Sequence, residues 1–531
     1  MQNQKGETTM LRTLALAALI AAAPAAQAQT LRVAVGAQVT SIDPHYHNIS
    51  PNTAFASIVF SALTATEGNS KLVPDLAESW KTISDEVWEF KLRPGVTFHN
   101  GTPFTADDFA FTVGRIPLVV NSPGSFTTYT QAIRAIEVVD PLTLRITTKG
   151  PYPTLAIDLS QVFILSRALH TGATTDRFAN GELAIGTGPF RVTAARHGER
   201  VDMLRSNNYF GPKPAWEKVD YRIVTSAPAR LSALLAGDVD FIDQVPTTDI
   251  ERLRTNKDIK LSESGSLRFI YIAFDHSRED KPPFITALDG KPLDKNPMKD
   301  VRVRRALSLA IDRQAIVDRV MEGVALPINQ FMPAGTFGHA PELETNNRAD
   351  IPTARKLLAE AGFPNGFAIT LHSPNDRYPN DGKIAQAIGQ MWSRAGIRTA
   401  VDVAPFASFV VKASRQEFSA FLVSWGSSSG EPSAGLRSVL ASFDAKTGMG
   451  SVNRFRYSNP KFDEGLVAAM RELDEAKRDA MLQSITRLAI GEDVAIAPTH
   501  VQKNVWAMRQ GFNHEARIDE RTRAQDITPA R

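Results

Sequence analysis

The sequence of 531 residues contains no cysteine. This absence excludes disulfide bonds, thiolate nucleophiles, cysteine-ligated zinc, iron–sulfur clusters and a lipid anchor attached through a thiol. An excess of one charge sign is also missing, because 60 Lys and Arg residues stand against 57 Asp and Glu residues. Proteins that bind nucleic acid concentrate positive charge, so we expect no nucleic-acid partner. The hydrophobic fraction of 43% is ordinary, which excludes wholesale disorder and predicts a globular chain.

Long hydrophobic runs are scarce, and the clearest one lies near the N-terminus. Residues 14–23 are apolar without interruption and follow the positive Lys5 and Arg12. The small-x-small pattern that signal peptidase requires stands at residues 26–28. Residues 1–28 are therefore expected to be a secretory signal peptide that is cleaved after Ala28, since an apolar core of about 10 residues is too short to cross a bilayer. We expect the mature chain to be exported, unanchored, soluble and monomeric.

Strand-like and helical patterns alternate along the chain, which predicts an α/β protein. Apolar residues alternate with polar ones at residues 88–92 and 142–147, a period of two that is typical of half-buried strands. Residues 354–361 and 384–395 have helical spacing, and a glycine follows each segment. A domain boundary is expected at residues 263–274, where a Gly/Ser turn leads into an apolar strand and then into a polar, proline-rich stretch.

Catalytic motifs are nearly absent, because the sequence has no HExxH, no Walker A segment and no GxGxxG after a strand. Residues 426–430 match the G-x-S-x-G nucleophile elbow after a predicted strand. Ser428 would then be the nucleophile of a secreted serine hydrolase, with Asp463 and His500 as the acid and the base. A loop of three serines between two glycines matches the same pattern without any catalytic role.

His45 and His47 are spaced to share one face of an extended segment, a geometry that can chelate a metal. A nickel or haem-type metal carrier is therefore an alternative function. The competing interpretation is a loop with two solvated or hydrogen-bonded histidines, because no other histidine lies near in sequence. We expect no cofactor and no resident metal.

Several longer segments carry a family resemblance. The strongest is residues 72–112, LVPDLAESWKTISDEVWEFKLRPGVTFHNGTPFTADDFAFT, and similarity continues through GTGPF at 186–190, DVRVRRALSLAIDRQA at 300–315 and AEAGFPNG at 359–366. Over essentially the whole length after residue 28, the chain resembles the extracellular solute-binding proteins of the peptide/nickel class, family 5, which feed ABC importers. Where the sequence departs from the family's pattern, the departure concerns residues expected to contact ligand and not residues expected to form the fold.

The resemblance implies a two-lobed periplasmic-binding-protein-like fold of type II, the large peptide-binding class, with hinge strands and an enlarged first lobe. Lobe 1 would comprise residues 30–264 plus 497–531, and lobe 2 residues 265–496. The implied function is capture of a short peptide, or of a peptide-like or opine-like compound, between the lobes and its delivery to a membrane permease. No catalytic step is implied.

The resemblance also implies the residues that contact ligand. Tyr46 and His47 match a region that lines the cleft from the first lobe. Arg377, with Tyr378 beside it, lies in a loop where an arginine can meet a ligand carboxylate. The cleft-lining loop after the strand at 419–425 adds Trp425, Ser427 and Ser428. Ser428 stands about where peptide-binding relatives have the acidic residue that holds the peptide's amino group, and a serine supplies no negative charge for an ammonium.

Overall fold

Two seven-stranded sheets organise the fold in the computed structural model, which describes residues 30–334, 336–344, 347–427 and 430–530. The expected signal peptide and Ser428 lie outside the described residues. The strands, in chain order, are β1 (Thr30–Val35), β2 (Thr64–Thr66), β3 (Leu72–Pro74), β4 (Ala77–Ser84), β5 (Val87–Leu92), β6 (Ile133–Asp140), β7 (Thr143–Thr148), β8 (Phe190–Arg196), β9 (Arg200–Arg205), β10 (Lys218–Ile223), β11 (Phe241–Ile242), β12 (Ile259–Ser264), β13 (Arg268–Phe274), β14 (Ile285–Thr286), β15 (Ala325–Pro327), β16 (Ala368–Pro374), β17 (Arg398–Ala404), β18 (Ala420–Gly426), β19 (Ile496–Gln502), β20 (Asn504–Arg509), β21 (Phe512–His514) and β22 (Ile527–Pro529).

Helices cover the faces of these sheets. The longer helices are α1 (Ser50–Val59), α2 (Ala106–Arg115), α3 (Ala227–Ala236), α4 (Val301–Leu309), α5 (Ile351–Glu360), α6 (Asp381–Arg394), α7 (Phe406–Ser414), α8 (Pro460–Ala469) and α9 (Glu475–Thr486). Short helical turns include Thr127–Thr130, Leu155–Asp158, Pro432–Gly435 and the wider turn Leu436–Leu440 that follows it.

The first sheet has the strand order β12-β20-β11-β1-β10-β9-β8, with β1 parallel to both β10 and β11. The second sheet runs β14-β16-β18-β13-β19-β15, and β17 pairs with β16. A four-stranded antiparallel sheet, β4-β5-β7-β6, adds to the N-terminal part. This mixture of parallel strands and covering helices confirms the α/β fold class.

The second sheet is buried on both faces, and its central strand β13 shows why. All seven residues of RFIYIAF are buried. Ile270, Ile272 and Phe274 pack into a core with α4, α5 and α6, while Phe269 and Tyr271 pack into a second core on the opposite face. Side chains alternate between faces along a strand, so a continuous apolar run fits a strand with helices on both sides.

Two crossings connect the first and second sheets. The first crossing is residues 265–267, between β12 and β13, and lies inside the boundary expected from sequence. The return was expected at residue 497, but β19 pairs with β13 and β15 in the second sheet through Gln502. The chain therefore leaves the second sheet only at Lys503, and β20 joins the first sheet at once. Below, "first part" means residues 30–264 and 504–530, and "second part" means residues 268–502.

The GTGPF segment is explained by a close backbone approach. A Cβ atom on Gly186 would lie 2.2 Å from the carbonyl oxygen of Val59, at the end of α1, and one on Gly188 would lie 2.5 Å from the Val59 carbonyl carbon. The Gly188 amide donates a hydrogen bond to the same Val59 oxygen at 3.0 Å. Glycine at both positions lets the chain pass directly against the end of α1 before it enters β8 of the first sheet.

We expect the folded protein to be destabilised by acid, because most of its histidines are buried as neutral rings. An unfolded histidine has a pKa of about 6.5. Burial lowers the pKa to about 4 for four histidines, His45, His47, His99 and His514, and to about 3 for His276 and His500. As the pH falls from about 6.5 to about 4, the unfolded chain takes up protons first, so the free energy of unfolding decreases.

Three buried carboxyls act in the opposite sense. Burial raises the pKa of Asp75, Asp158 and Asp381 to about 6, so the folded state takes up these protons first and offsets part of the loss. The larger number of histidines predicts a net fall in Tm between pH 7 and pH 4.5, measured by calorimetry. A Tm that stays constant or rises over this interval would contradict the neutral, buried state of these rings.

Candidate functional site

A cavity of about 130 Å³ lies between the first and second parts, close to both crossings. Its walls come from both parts of the chain. The first part contributes the segment 47–50 with Tyr129 and Asp158, and the second part contributes Arg268, Tyr271, Arg377, Tyr378, Phe406, Trp425, Ser427 and Arg454. A smaller cavity of about 60 Å³ adjoins it and shares Ser50 and Arg377. A solute held here would contact both parts at once.

Arg268, the first residue of β13, joins the two parts beside the first crossing. Its guanidinium donates to both carboxylate oxygens of Glu520, with the Nε bond at 2.7 Å. It also donates to Ser50 Oγ at 2.9 Å and to Ser424 Oγ at 2.6 Å. Burial alone would raise the pKa of Glu520, but Arg268 holds that pKa below its usual value. Arg268 is therefore a fully compensated cation.

Arg377 differs from Arg268, because no carboxylate among the described residues lies within 4.0 Å of its guanidinium. The guanidinium lies over two aromatic rings, 5.4 Å from the centroid of Tyr378 and 5.6 Å from that of Phe406. Burial, followed by the nearby charge of Arg268, lowers the pKa of Arg377, and the group stays protonated at neutral pH.

The two acidic neighbours of Arg377 in sequence are engaged elsewhere. Asp376 Oδ1 accepts the amide hydrogen of Phe406 at 2.7 Å, which begins α7. Asp381 Oδ2 accepts the amide hydrogens of Arg377 and Tyr378, each at 3.1 Å. These bonds fix the loop and leave the arginine side chain directed into the cavity wall.

The other expected site residues divide into those that line the cavity and one that does not. His47, Tyr378, Trp425 and Ser427 line it together with Arg377. Tyr46 is not among the lining residues; its carbonyl oxygen accepts a hydrogen bond from Ser122 Oγ at 2.6 Å. Tyr46 and His47 are adjacent in a loop, and the sequence alone does not show which of the two side chains faces the cavity.

His47 is a neutral ring in the first-part wall. Its Nδ1 lies 3.1 Å from Thr40 Oγ1. Burial lowers its pKa to about 4, and the positive charges of Arg377 and Arg454 contribute to this shift. The positive field of the second part therefore reaches across the cavity to the first part.

His45 does not join His47 in a metal site. Its Nδ1 accepts a hydrogen bond from Arg115 Nη1 at 3.0 Å, and its Nε2 donates to the carbonyl oxygen of Phe163 at 2.7 Å. The ring is 1% exposed, so both nitrogens are used inside the first part. The described residues contain no group of three or more His, Cys, Asp or Glu that could hold a metal ion.

A second prediction follows for nickel. Addition of Ni²⁺ to the purified protein is expected to leave its Tm unchanged, because His47 is the only histidine among the described residues that line the cavity. The H47Q variant serves as the control and should respond to Ni²⁺ as the parent protein does. A Tm increase that depends on Ni²⁺ and disappears in H47Q would restore the metal-carrier alternative.

The partners expected for a Ser428 hydrolase have other roles. Asp463 Oδ1 accepts the amide hydrogen of Ser442 at 2.9 Å. His500 is buried within β19, and its Nδ1 lies 3.0 Å from Thr499 Oγ1. No hydrogen bond joins Asp463 to His500, so these two residues do not form the acid–base pair that a Ser428 nucleophile would need.

Arg437 crosses from the second part into the first. Its side chain is fully buried and donates to Tyr152 Oη at 2.9 Å and to the Thr128 carbonyl oxygen at 2.6 Å. Tyr152 Oη in turn donates to Asp158 Oδ2 at 2.6 Å. Burial raises the pKa of Asp158 to about 6, and Arg437 moderates this rise. This chain of contacts joins the second part to Asp158 of the first part, which lines the cavity.

Four cavity residues of clear chemical importance were missed by sequence reasoning: Arg268, Arg454, Asp158 and Phe406. Arg268 is the first residue of the strand at the expected domain boundary, and this position could have identified it as a cavity residue. The residues 453–457 alternate between buried and half-buried, so Arg454 and Arg456 were indistinguishable candidates. Nothing local marks Asp158 or Phe406.

Comparisons with known proteins support a single family. The sequence profile of bacterial extracellular solute-binding proteins, family 5 middle region, matches residues 71–447. The chain is 28% identical over 507 residues to the glutathione-binding protein GsiB of Escherichia coli K12, covering 94% of each chain. It is 27% identical over 440 residues to heme-binding protein A of Haemophilus influenzae, covering 78% of this chain and 76% of that protein.

Solved structures show the same fold. The periplasmic binding protein DppA of Helicobacter pylori, in complex with the peptide STSA, superposes with a TM-score of 0.82 at 22% identity, covering 95% of this chain and 99% of that chain. MoaA from A. tumefaciens R10, in complex with mannopinic acid, superposes with a TM-score of 0.81 at 24% identity, covering 95% and 100%. The expected two-lobed type II architecture is confirmed.

The family match also decides between a binding protein and an enzyme. The relatives are binding proteins of importers, so the serine-hydrolase alternative is set aside. Within the part of the chain that the structure describes, no helix combines the length and apolar character needed to cross a bilayer. The chain belongs to the bacterial extracellular solute-binding proteins of family 5, the periplasmic components that deliver solutes to ABC importers.

Proposed function

We propose that this protein captures a small solute with at least one carboxylate, of the short-peptide, peptide-like or opine-like class, in the cavity between its two parts. The observation that carries this proposal is the Arg377 guanidinium, which lines the cavity between two aromatic rings without a carboxylate partner among the described residues. A planar guanidinium binds a carboxylate through two parallel hydrogen bonds. Tyr378 and Phe406 would hold the fork in place.

The two parts would act as lobes, with residues 30–264 and 504–530 in the first and 268–502 in the second. Ligand in the cavity stabilises closure only if it contacts both lobes, and the lining residues come from both. The paired crossings are short, which suits a hinge. Tyr378, Trp425 and Ser427 would complete the ligand contacts from the second lobe, and His47 from the first; Ser428 remains a proposed contact.

The loop at residues 426–432 offers little to a free ammonium. Ser428 and Ser429 carry no charge. Glu431 Oε1 accepts hydrogen bonds from the amide and hydroxyl of Ser433, and its Oε2 lies 3.5 Å from Arg478, so this acid is engaged at a helix start. We infer that solutes without a free N-terminal ammonium are preferred over ordinary dipeptides.

The relatives' ligands are compatible with this chemistry. Glutathione, the peptide STSA and mannopinic acid all carry a carboxylate. The identity of the ligand for this chain is a proposal about class, based on its own cavity.

A thermal-shift screen tests the proposal. The panel contains dipeptides with free and acetylated N-termini, glutathione, mannopinic acid and neutral sugars. A ligand at 100 times its Kd should add about 2.7 kcal/mol to the free energy of unfolding. We expect stabilisation by carboxylate-bearing members, and by acetylated peptides more than by free ones. Stabilisation by sugars alone would contradict the proposal.

The proposed site of action of the protein is the periplasm. Residues 1–28 are proposed to direct export and to be removed after Ala28, and the mature protein to act as a soluble monomer in the periplasm without a nucleic-acid partner. The membrane permease of the importer receives the closed, loaded form. The small-x-small pattern at 26–28 supports the cleavage site.

A further inference from the structure

The cavity has more positive than negative charge. Three arginines line it, Arg268, Arg377 and Arg454, against one carboxylate, Asp158. The adjoining smaller cavity adds Asp243, Glu520 and Lys503. Uncompensated charge near a buried surface is costly, so each of these groups should have an identifiable partner or a function.

Most of these charges are compensated within the protein. Arg268 is bound to Glu520, and Asp158 is reached by Arg437 through Tyr152. Asp243 accepts hydrogen bonds from the Gly36 amide at 2.7 Å and from Thr522, with Arg230 at 3.9 Å. Lys503 donates to the carbonyl oxygen of Gly323. The two cations left over in the main cavity are Arg377 and Arg454.

Arg454 is held in place by contacts that leave the end of its guanidinium available. Asn453 anchors the preceding backbone by donating to the carbonyl oxygens of Ala441 and Tyr457, at 2.8 and 2.7 Å. Arg454 Nε donates to Ser414 Oγ at 3.0 Å. No described carboxylate lies within 4.0 Å of Arg454, and its two terminal nitrogens make no hydrogen bond within the described residues.

Arg377 and Arg454 come from different segments of the second part and act on the same space. Each lowers the pKa of His47 across the cavity. Tyr378 lies under the Arg377 guanidinium, and Arg454 lines the same cavity as both residues. Two separate guanidinium groups facing one cavity provide two anion positions, not one.

We propose that Arg377 and Arg454 bind two separate acidic groups of a single ligand, and that the solute of this protein is therefore a dicarboxylate. This inference rests on the proposed function and makes the substrate class more specific. A monocarboxylate would leave one guanidinium unpaired in the closed cavity, whereas a dicarboxylate compensates both. N-carboxyalkylated amino acids and γ-glutamyl peptides have this chemistry.

Calorimetric titration of matched ligand pairs tests the proposal. The pairs are N-succinyl-leucine with N-acetyl-leucine, an N-(1-carboxyethyl) amino acid with its N-ethyl analogue, and glutathione with its glycine monoethyl ester. A charged hydrogen-bonded pair predicts that the diacid binds about 10- to 100-fold more tightly than its monoacid partner. Phosphoserine peptides form a separate arm, and tighter binding of these than of any dicarboxylate would overturn the assignment.

Three variants separate this inference from the proposed function. R454Q should abolish the preference for the diacid, so that the two members of each pair bind with similar affinity. R377Q should weaken both members of each pair. R456Q is the matched control, because Arg456 donates to the Asn453 carbonyl oxygen, lies over the Phe443 ring at 3.9 Å and does not line the cavity.

The outcomes are distinguishable. Equal affinity for monoacid and diacid, or a diacid preference that persists in R454Q, overturns the dicarboxylate assignment alone. Unchanged affinity in R377Q overturns the carboxylate site of the proposed function. The Tm of each variant without ligand is measured alongside, so that a folding defect is not read as lost recognition.

Discussion

The R437Q variant is expected to bind its solute about 100-fold more weakly than the parent protein, or weaker still. Arg437 belongs to the second part, yet its guanidinium is buried among Thr128 and Tyr152 of the first part. Removing one partner of a buried ionic network costs about 3 to 5 kcal/mol, because Tyr152 and Asp158 then lose their cation. These contacts span the two parts, so the loss falls on the closed state, and apparent affinity decreases with the closed population.

Small-angle X-ray scattering provides the structural readout for R437Q. Without ligand, the variant should have a larger radius of gyration than the parent protein, and saturating ligand should reduce the difference. Y152F removes the hydroxyl from the opposite side of the contact and should weaken binding in the same direction by about 10-fold. R415Q is the control, since the Arg415 side chain is 71% exposed and lies 3.9 Å from Glu417. Parent-like scattering and affinity in both R437Q and Y152F would show that this contact does not govern closure.

The second large effect is expected at Arg377. The R377Q variant should raise the Kd for carboxylate ligands about 30- to 4000-fold, because truncating one partner of a buried charged hydrogen-bonded pair costs about 2 to 5 kcal/mol. R377K should lose part of the affinity, since lysine keeps the charge but lacks the planar fork. The Tm of the unliganded variants should be close to that of the parent, because no described carboxylate pairs with this guanidinium.

Calorimetric titration with the best ligand from the thermal screen measures both variants. R415Q again serves as the control and should retain parent affinity. If R377K and R377Q bind as tightly as the parent, Arg377 is a framework residue that stacks on Tyr378 and Phe406, and the carboxylate site must lie elsewhere in the cavity.

Local physical signals explain which elements could be predicted from sequence. Thr105 and Asp108 form a capping box at the start of α2, and Asp350 caps α5 by accepting the Thr353 amide hydrogen. Trp88, Phe90 and Leu92 of β5 are buried as their alternation predicts. Each of these features depends on neighbours within a few residues, so the sequence pattern was sufficient.

The return crossing could not be placed because its local signal is weak. β19 and β20 are separated only by Lys503, and neither glycine nor proline stands between them. The two strands have the sequence pattern of one extended segment, although they belong to different sheets. Only strand pairing across hundreds of residues distinguishes them.

The charged residues of the cavity show the same limit more sharply. Arg454 lines the cavity and Arg456 lies over Phe443, although both alternate in the same way with buried residues. Arg437 is buried against residues about three hundred positions earlier in the chain. Contacts between residues this far apart in sequence leave no periodic pattern. The fold therefore decides which arginine is paired within the protein, which one joins the two parts and which one is available to bind ligand.

The most direct test is mass spectrometry of the solute retained by the protein when it is purified from its own host without refolding. We predict a small solute with carboxylate groups, retained by the parent protein and by R415Q and absent from R377Q. A retained solute without any carboxylate, held equally by the parent and R377Q, would contradict the central claim that this cavity selects its ligand through Arg377.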